Sequence, residues 1–272
     1  MPLSPLLERY DHVLLDLDGC VWVGDQLTPG AGEAVSELRS AGKSIVFVTN
    51  DTRRSPEEYV RKLWHFGIRA SLAEVVTVGA AIQHVLAQGR SGTETYVIGA
   101  PAIFRHVAEA GMRVVNGTAR AAHAELVVVA GHDALHIDEL GIATQAVLRG
   151  AQMLAAGRDR TFPREDGPWP GTGAVVAALE YATEHEAQIV GKPMPQMFDT
   201  ALDRLGPGRA LVVGDRLGSD LAGAAAAKLD CAIVLTGVST RAEAQAATDP
   251  EPVAIADTLH ALVTGEDSQA PQ

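Results

Sequence analysis

Two aspartates one residue apart, Asp16 and Asp18, close an unbroken apolar run in HVLLDLDG, residues 12–19. Two carboxylates at one strand end repel each other, and burying both without a counter-ion is costly. A cation resolves the conflict. Mg²⁺ takes oxygen ligands in an octahedron, keeps some of its waters and bridges carboxylates to phosphate. GDRLGSDL, residues 214–221, brings two more acids, Asp215 and Asp220, after a second apolar run. An aspartate after a strand is more often a turn residue or a helix cap. That reading weakens when two acid-bearing strand ends recur in one chain.

An all-acid magnesium site would not need the two polar clusters that remain. In VTND, Thr49 offers a hydroxyl, followed by free backbone N–H groups. In IVGKPMP, Lys192 offers a compact positive charge suited to phosphate, although a surface lysine before a turn would look the same. Acids, a divalent cation, a hydroxyl and a lysine together make a phosphoryl-transfer site, where the protein positions groups and neutralises charge. An aspartate can then be the nucleophile, forming an aspartyl-phosphate that water hydrolyses.

Elements of one design must carry these groups. HVLLDLDG, SIVFVTND (residues 44–51) and ALVVGDR (residues 210–216) are apolar runs without alternation, as in strands buried on both faces of a parallel sheet. Helical stretches such as GEAVSELRSAGK and SPEEYVRKLWHFG supply the crossovers. The fold class is therefore α/β with a doubly wound parallel sheet, whose ligands bind at the carboxyl ends of the strands. DLD, TND and GDR then converge on one crevice. The middle of the chain alternates strands and helices of its own, which predicts a smaller α/β domain over 82–181 inserted into a core formed by 1–81 and 182–272. PREDGPWPGTG, residues 163–173, reads as a Pro- and Gly-rich loop able to fold over the site, with Trp169 as a wall or an anchor. The following VVAALEYATEH reads as a helix returning to the core, and the tail GEDSQAPQ as a disordered end.

The 272 residues suffice for two domains. A net charge of −12 argues against nucleic acid or an anionic membrane as the main partner, but leaves a small anionic substrate open. No run is long enough to span a membrane, and the N-terminus has no signal-peptide pattern. The two cysteines, Cys20 and Cys231, form no disulfide framework or metal motif, so a cytoplasmic protein is expected. His132 and His136 stand at helical spacing but lack a third ligand nearby, so no metal site is read there.

The four motifs DLDG, VTND, GKP and GDRLGSD, in this order, resemble those of the haloacid dehalogenase superfamily. Over nearly the whole chain the likeness is to its NagD-like and para-nitrophenyl-phosphatase-like branch, which includes phosphoglycolate, glycerol-phosphate and pyridoxal-phosphate phosphatases. The resemblance implies a Rossmann-like core with a cap domain, and a Mg²⁺-dependent phosphatase of small phosphate monoesters. Asp16 is then the nucleophile, and Asp18 the acid for the leaving alcohol and later the base for water. Thr49, Lys192 and the backbone at Asn50 hold the phosphoryl oxygens. Mg²⁺ sits on the Asp16 and Asp215 side chains and the Asp18 carbonyl. Asp220 acts through a water or by fixing Lys192, and Arg53 stands near the general acid. Caps of this kind often join subunits in related enzymes, so a homodimer is expected.

Departures from the family pattern fall beside these residues. Cys20 replaces Thr or Val and reads as a packing residue, Asp51 stands where Asn is usual, and Ser219 where Thr is common. In the cap stretch AAGRDRTFP, Gly157 replaces an asparagine, while Asp159 and Pro163 are kept. Arg158 is expected to contact the leaving group and to favour carboxylate- or hydroxyl-bearing ones. Two rival readings keep the fold but change the role: a phospho-aspartate signalling module, and a catalytically silent ligand-binding protein.

Overall fold

The computed structural model describes residues 3–132, 134–164 and 167–265, with only the backbone described at Pro163 and Arg164. The polar tail lies outside these residues from position 266 onward. The first strand, β1 (His12–Asp16), is buried along its whole length. Each side chain such as Leu14 or Leu15 contributes roughly 1.5–3 kcal/mol by leaving water. A small hairpin of β2 (Trp22–Val23) and β3 (Gln26–Leu27) follows, then β4 (Ser44–Thr49) and β5 (Val75–Thr77). β4 pairs with β1 in parallel, with Asp16 opposite Val48.

The helix Ala31–Ser40 buries Ala31, Ala34, Val35 and Leu38, a stripe at three- and four-residue spacing. The helix Pro56–His65 starts at a capping box. The Glu58 N–H donates to Ser55 Oγ at 3.4 Å, and Glu58 Oε2 accepts from the Ser55 N–H at 2.7 Å.

The chain then builds a second sheet from β6 (Glu94–Ile98), β7 (Arg113–Val114), β8 (Leu126–Val129) and β9 (Gln152–Ala155). It adds an antiparallel pair, β10 (Thr161–Arg164) with β11 (Gly167–Pro170), and closes the second sheet with β12 (Gln188–Ile189). The order is β12-β9-β8-β6-β7, and every pairing is parallel. Finally β13 (Ala210–Gly214), β14 (Asp230–Val234) and β15 (Ala254–Ala256) complete the first sheet in the order β15-β14-β13-β1-β4-β5, again all parallel. The chain leaves β1 toward β4 and β5 and returns on the other side at β13. The topological switch point therefore lies at the carboxyl ends of β1 and β13, where open α/β sheets place their ligands.

Three expectations are corrected. Of the stretch expected to be a loop, Pro163–Arg164 and Gly167–Pro170 instead lie in the antiparallel pair of β10 and β11, with Pro163 opposite Pro168. The helix Thr172–Thr183 does not return to the first sheet. Its Val175, Val176 and Leu179 share a core with Ala143 and Val147 of the helix Ile137–Leu148 and with strands of the second sheet. The limits at 82 and 181 fall inside the helices Val78–Ala87 and Thr172–Thr183, and the second sheet reaches Ile189. A continuous apolar cluster, with Val48, Val76 and Val78 beside Val97, Ile103, Val128 and Leu154, joins the two sheets. Among the described residues no helix is long and apolar enough to cross a membrane.

Candidate active site

Asp16 ends β1, Thr49 ends the adjoining β4, and Asp215 follows β13 on the other side. Parallel pairing puts all three at one end of the sheet. A π-helical turn over Leu217–Leu221 then swings Asp220 back under the same strand ends. Carboxylate oxygens of Asp16, Asp215 and Asp220 lie within 4.8 Å of one another, and all three residues are buried. The turn after β1 passes close to this cluster. Gly19 has φ +97°, and a Cβ there would stand 2.5 Å from Asp215 Oδ2, so only glycine fits both the backbone and the space.

Lys192 enters from β12 of the second sheet and is buried between two of the acids. Its Nζ donates to Asp16 Oδ1, to Asp220 Oδ1 at 2.7 Å and to the Val48 carbonyl at 3.3 Å. Burial opposes the ammonium charge, but Asp16 and Asp220 outweigh it and hold the Lys192 pKa above its ordinary value. Three carboxylates against one ammonium still leave a negative excess. Burial, with Asp220 alongside, pushes the Asp215 carboxyl up to about 7, and Asp16 is raised well above the usual range by burial despite Lys192. Asp215 Oδ2 accepts from the Val238 N–H at 2.7 Å, while its Oδ1 is buried with no hydrogen-bond partner among the described residues. An acid cluster of this charge with an orphaned carboxylate oxygen fits Mg²⁺. The Asp220 carboxylate is already engaged, since its Oδ2 accepts from the Arg216 N–H at 3.1 Å.

Asp18 stands apart from that cluster. Its Oδ1 accepts from Trp22 Nε1 at 2.9 Å, and its Oδ2 is buried without a hydrogen-bond partner among the described residues. Burial first, then the nearby Asp51, raises its pKa. Asp51 behaves in the opposite way. Burial works against its charge, but Arg53 at 2.7 Å and the Tyr59 hydroxyl at 2.6 Å hold it ionised, below the usual carboxylate range. Arg53 in turn lies over the Phe162 ring, 4.3 Å from its centroid. Thr49 Oγ1 accepts from the Asp51 N–H at 3.0 Å and shapes the turn after β4.

These groups open onto a cleft lined by Asp16, Asp18, Thr49, Asn50, Lys192 and Asp220 at its floor, and by Asp159, Thr161, Phe162 and Thr172 from the inserted segment. Arg53 and Arg216 are the cations on its walls besides Lys192. Arg158 is not there. It forms a two-pronged ion pair with Glu180 at 2.6 and 2.8 Å on the outer surface, which corrects its expected contact with the leaving group. Trp169 is half-exposed and outside the cleft lining. His132 does line the cleft, with Nε2 buried and unpaired among the described residues. His136 is exposed ahead of the helix Ile137–Leu148, so the two histidines do not share a helix face. Cys20 is fully buried among Leu17 and Val21, as a packing residue would be. His132, Phe162 and Arg216 were given no role at the site from the sequence, although Arg216 stands inside GDRLGSD, and the folded chain brings them to one cleft.

A haloacid dehalogenase-like hydrolase model matches residues 13–113, and a related HAD-hydrolase-like model matches 189–262. D-glycerol 3-phosphate phosphatase of Mycobacterium tuberculosis is 38% identical over 240 residues, which are 88% of this chain and 66% of that protein, just under two thirds of its length. Acid sugar phosphatase of Staphylococcus aureus is 30% identical over 94% of this chain and 98% of its own. Among solved structures, the M. tuberculosis glycerol phosphate phosphatase in complex with magnesium superimposes with a TM-score of 0.85 at 36% identity, covering 99% of this chain and 82% of that one. The p-nitrophenyl phosphatase from Archaeoglobus fulgidus gives 0.80 at 29% identity, covering 92% and 97%. This chain accordingly belongs to the haloacid dehalogenase-like hydrolases, among their phosphatases.

Proposed function

We propose that the protein is a Mg²⁺-dependent phosphomonoesterase that works through an aspartyl-phosphate on small, hydroxyl-bearing phosphate esters. The observation that carries this reading is the buried set of Asp16, Asp215 and Asp220 with Lys192 bonded between Asp16 and Asp220. Asp16 and Asp215 would hold the metal by side chain and Asp18 by its carbonyl, with Asp220 fixing Lys192. When bound, Mg²⁺ neutralises the carboxylates and the phosphoryl oxygens.

Asp16 attacks phosphorus, and the bond to the leaving oxygen breaks as Asp18 gives that oxygen its proton. The raised pKa of Asp18 and its Oδ2, without a hydrogen-bond partner among the described residues, suit a proton donor. Water then attacks phosphorus, the Asp18 carboxylate takes the water proton, and the bond to Asp16 breaks to release phosphate. Thr49, Lys192 and the Asn50 backbone hold the phosphoryl oxygens, and Arg53 steadies Asp51 beside the acid. The inserted unit acts as the cap over the leaving group. Its threonines at 161 and 172 and the imidazole of His132 suit hydroxyl groups, in keeping with relatives named for glycerol phosphate and acid sugars. The free, buried Cys20 and Cys231 fit a reducing, cytoplasmic setting.

The test is steady-state hydrolysis of glycerol 3-phosphate, sugar phosphates and p-nitrophenyl phosphate with Mg²⁺ or EDTA. Turnover should require the metal and vanish in Asp16→Asn. Activity that survives full chelation, or an Asp16→Asn variant retaining a tenth of wild-type turnover, would refute the mechanism.

A further inference from the structure

The side-chain amide of Asn50, just after β4 of the first sheet, is fully used, and each of its bonds goes to a residue that follows a strand of the second sheet. Its Oδ1 accepts from the Lys192 N–H at 2.8 Å, and its Nδ2 donates to the Lys192 carbonyl at 2.9 Å. One amide thus grips both backbone groups of the lysine that binds Asp16 and Asp220. The second Nδ2 hydrogen goes to Asp159 Oδ2 at 3.1 Å, on the segment between β9 and β10. Asp159 Oδ1 faces Arg216 Nη1 at 3.7 Å, and Arg216 Nε stands 3.9 Å from Asp215 Oδ1. The Asp159 carbonyl accepts from the Gly173 N–H at 2.9 Å, so the inserted unit itself fixes where this carboxylate stands. Gly157 leaves room for the junction. A Cβ there would lie 3.1 Å from Asn50 Nδ2 and 3.3 Å from Asp159 Oδ2, so a side chain at 157 would push on both partners of the junction.

We propose that Asp159 is a positioning residue through which the seated inserted unit sets Lys192, by way of Asn50, and the Asp215 turn, by way of Arg216. The phosphoryl end of the site is then complete only when the unit is in place. This rests on the phosphatase reading. Because the path runs to groups that meet the phosphoryl moiety, its loss acts alike on every ester. A direct contact from Asp159 to the leaving group would instead discriminate between esters.

The experiment compares wild type, Asp159→Ala, Asp159→Asn, Asn50→Ala and the Asn50→Ala/Asp159→Ala double variant as full-length proteins with Mg²⁺. Asp159→Ala should lower kcat/KM on phenyl phosphate and glycerol 3-phosphate by one common factor of about tenfold, and raise the inhibition constant of inorganic phosphate comparably. Asp159→Asn, which keeps an oxygen for Asn50, should recover most of the loss. The two alanine substitutions should be non-additive, because they break one path. Additive losses, wild-type kinetics in Asp159→Ala, or an ester-dependent loss with unchanged phosphate inhibition would each overturn the proposal. If Asp159→Ala fails to fold by circular dichroism, Asp159→Ser carries the same comparisons. A wild type that hydrolyses no ester overturns the phosphatase reading and this inference with it, whereas an active wild type with additive variants overturns this inference alone.

Discussion

Asp18 and Asp51 are two enclosed acids whose surroundings move their pKa values in opposite directions, up for Asp18, bonded to the Trp22 indole, and down for Asp51, held by a guanidinium and a phenol. Asp18→Asn should therefore slow phosphorylation of the enzyme far more with an alkyl ester than with p-nitrophenyl phosphate, whose leaving group needs little protonation. Equal losses for both in single-turnover experiments would exclude the acid role. Arg158→Ala should leave the ranking of substrates within about twofold and cost at most about 1 kcal/mol in denaturant melts, since it breaks only a surface ion pair. A changed ranking would return Arg158 to the substrate. Asp16, Asp18 and Asp215 were legible in the sequence because they stand at or just past the ends of long apolar runs. Arg158 was misleading because its partner, Glu180, lies 22 residues further on, and spacing carries no information about such a pair.

The strands that carry the site were legible for the same reason. HVLLD, SIVFVT and ALVVG are long, β-branched and buried on both faces, and SPEE announces its helix by a cap. β12 spans two residues and β15 three, too short to show a period against their loops. The β10–β11 pair was hidden by Pro163, Pro168 and Pro170, since proline argues against a strand unless it sits in an edge pairing such as this two-stranded one. The turn after β1 makes a sharp expectation at this scale. Gly19→Ala adds strain of about 1–3 kcal/mol at a positive φ and forces a methyl against Asp215. Mg²⁺ titrations followed by activity should show weakened metal dependence, and an unchanged midpoint would contradict the close packing.

Across the whole molecule, the acid cluster makes stability depend on pH in an unusual direction. Asp215 titrates near 7 in the fold, and Asp16 and Asp18 are also raised, so without metal the folded chain keeps protons that the unfolded chain gives up above about pH 4. Their stabilising contribution is complete below that pH and is lost as the pH rises through the folded values. In EDTA the Tm should fall between pH 5 and 7.5, by the equivalent of a few kcal/mol at most. Mg²⁺ should restore it at pH 7.5, and Asp215→Asn should flatten the fall. A Tm that climbs over this range in EDTA would refute the raised carboxyl values. Domain limits were the least legible feature at this scale. The apolar cluster joining the sheets leaves no change in composition at the crossings, and the helices at 82 and 181 run straight through the expected borders.

The place of β1 between β4 and β13 has a consequence for synthesis on the ribosome. One edge of β1 finds its neighbour at Ser44, but the other waits for Ala210. Throughout translation of the inserted segment, a strand that is buried along its whole length in the finished fold carries an open hydrogen-bonding edge, a template for pairing with another nascent chain. A chain ending at residue 209 should therefore collect in the insoluble fraction on expression, while one extended through β15 stays in solution. Equal solubility of the two would mean that the early half of the sheet protects itself without its later strands.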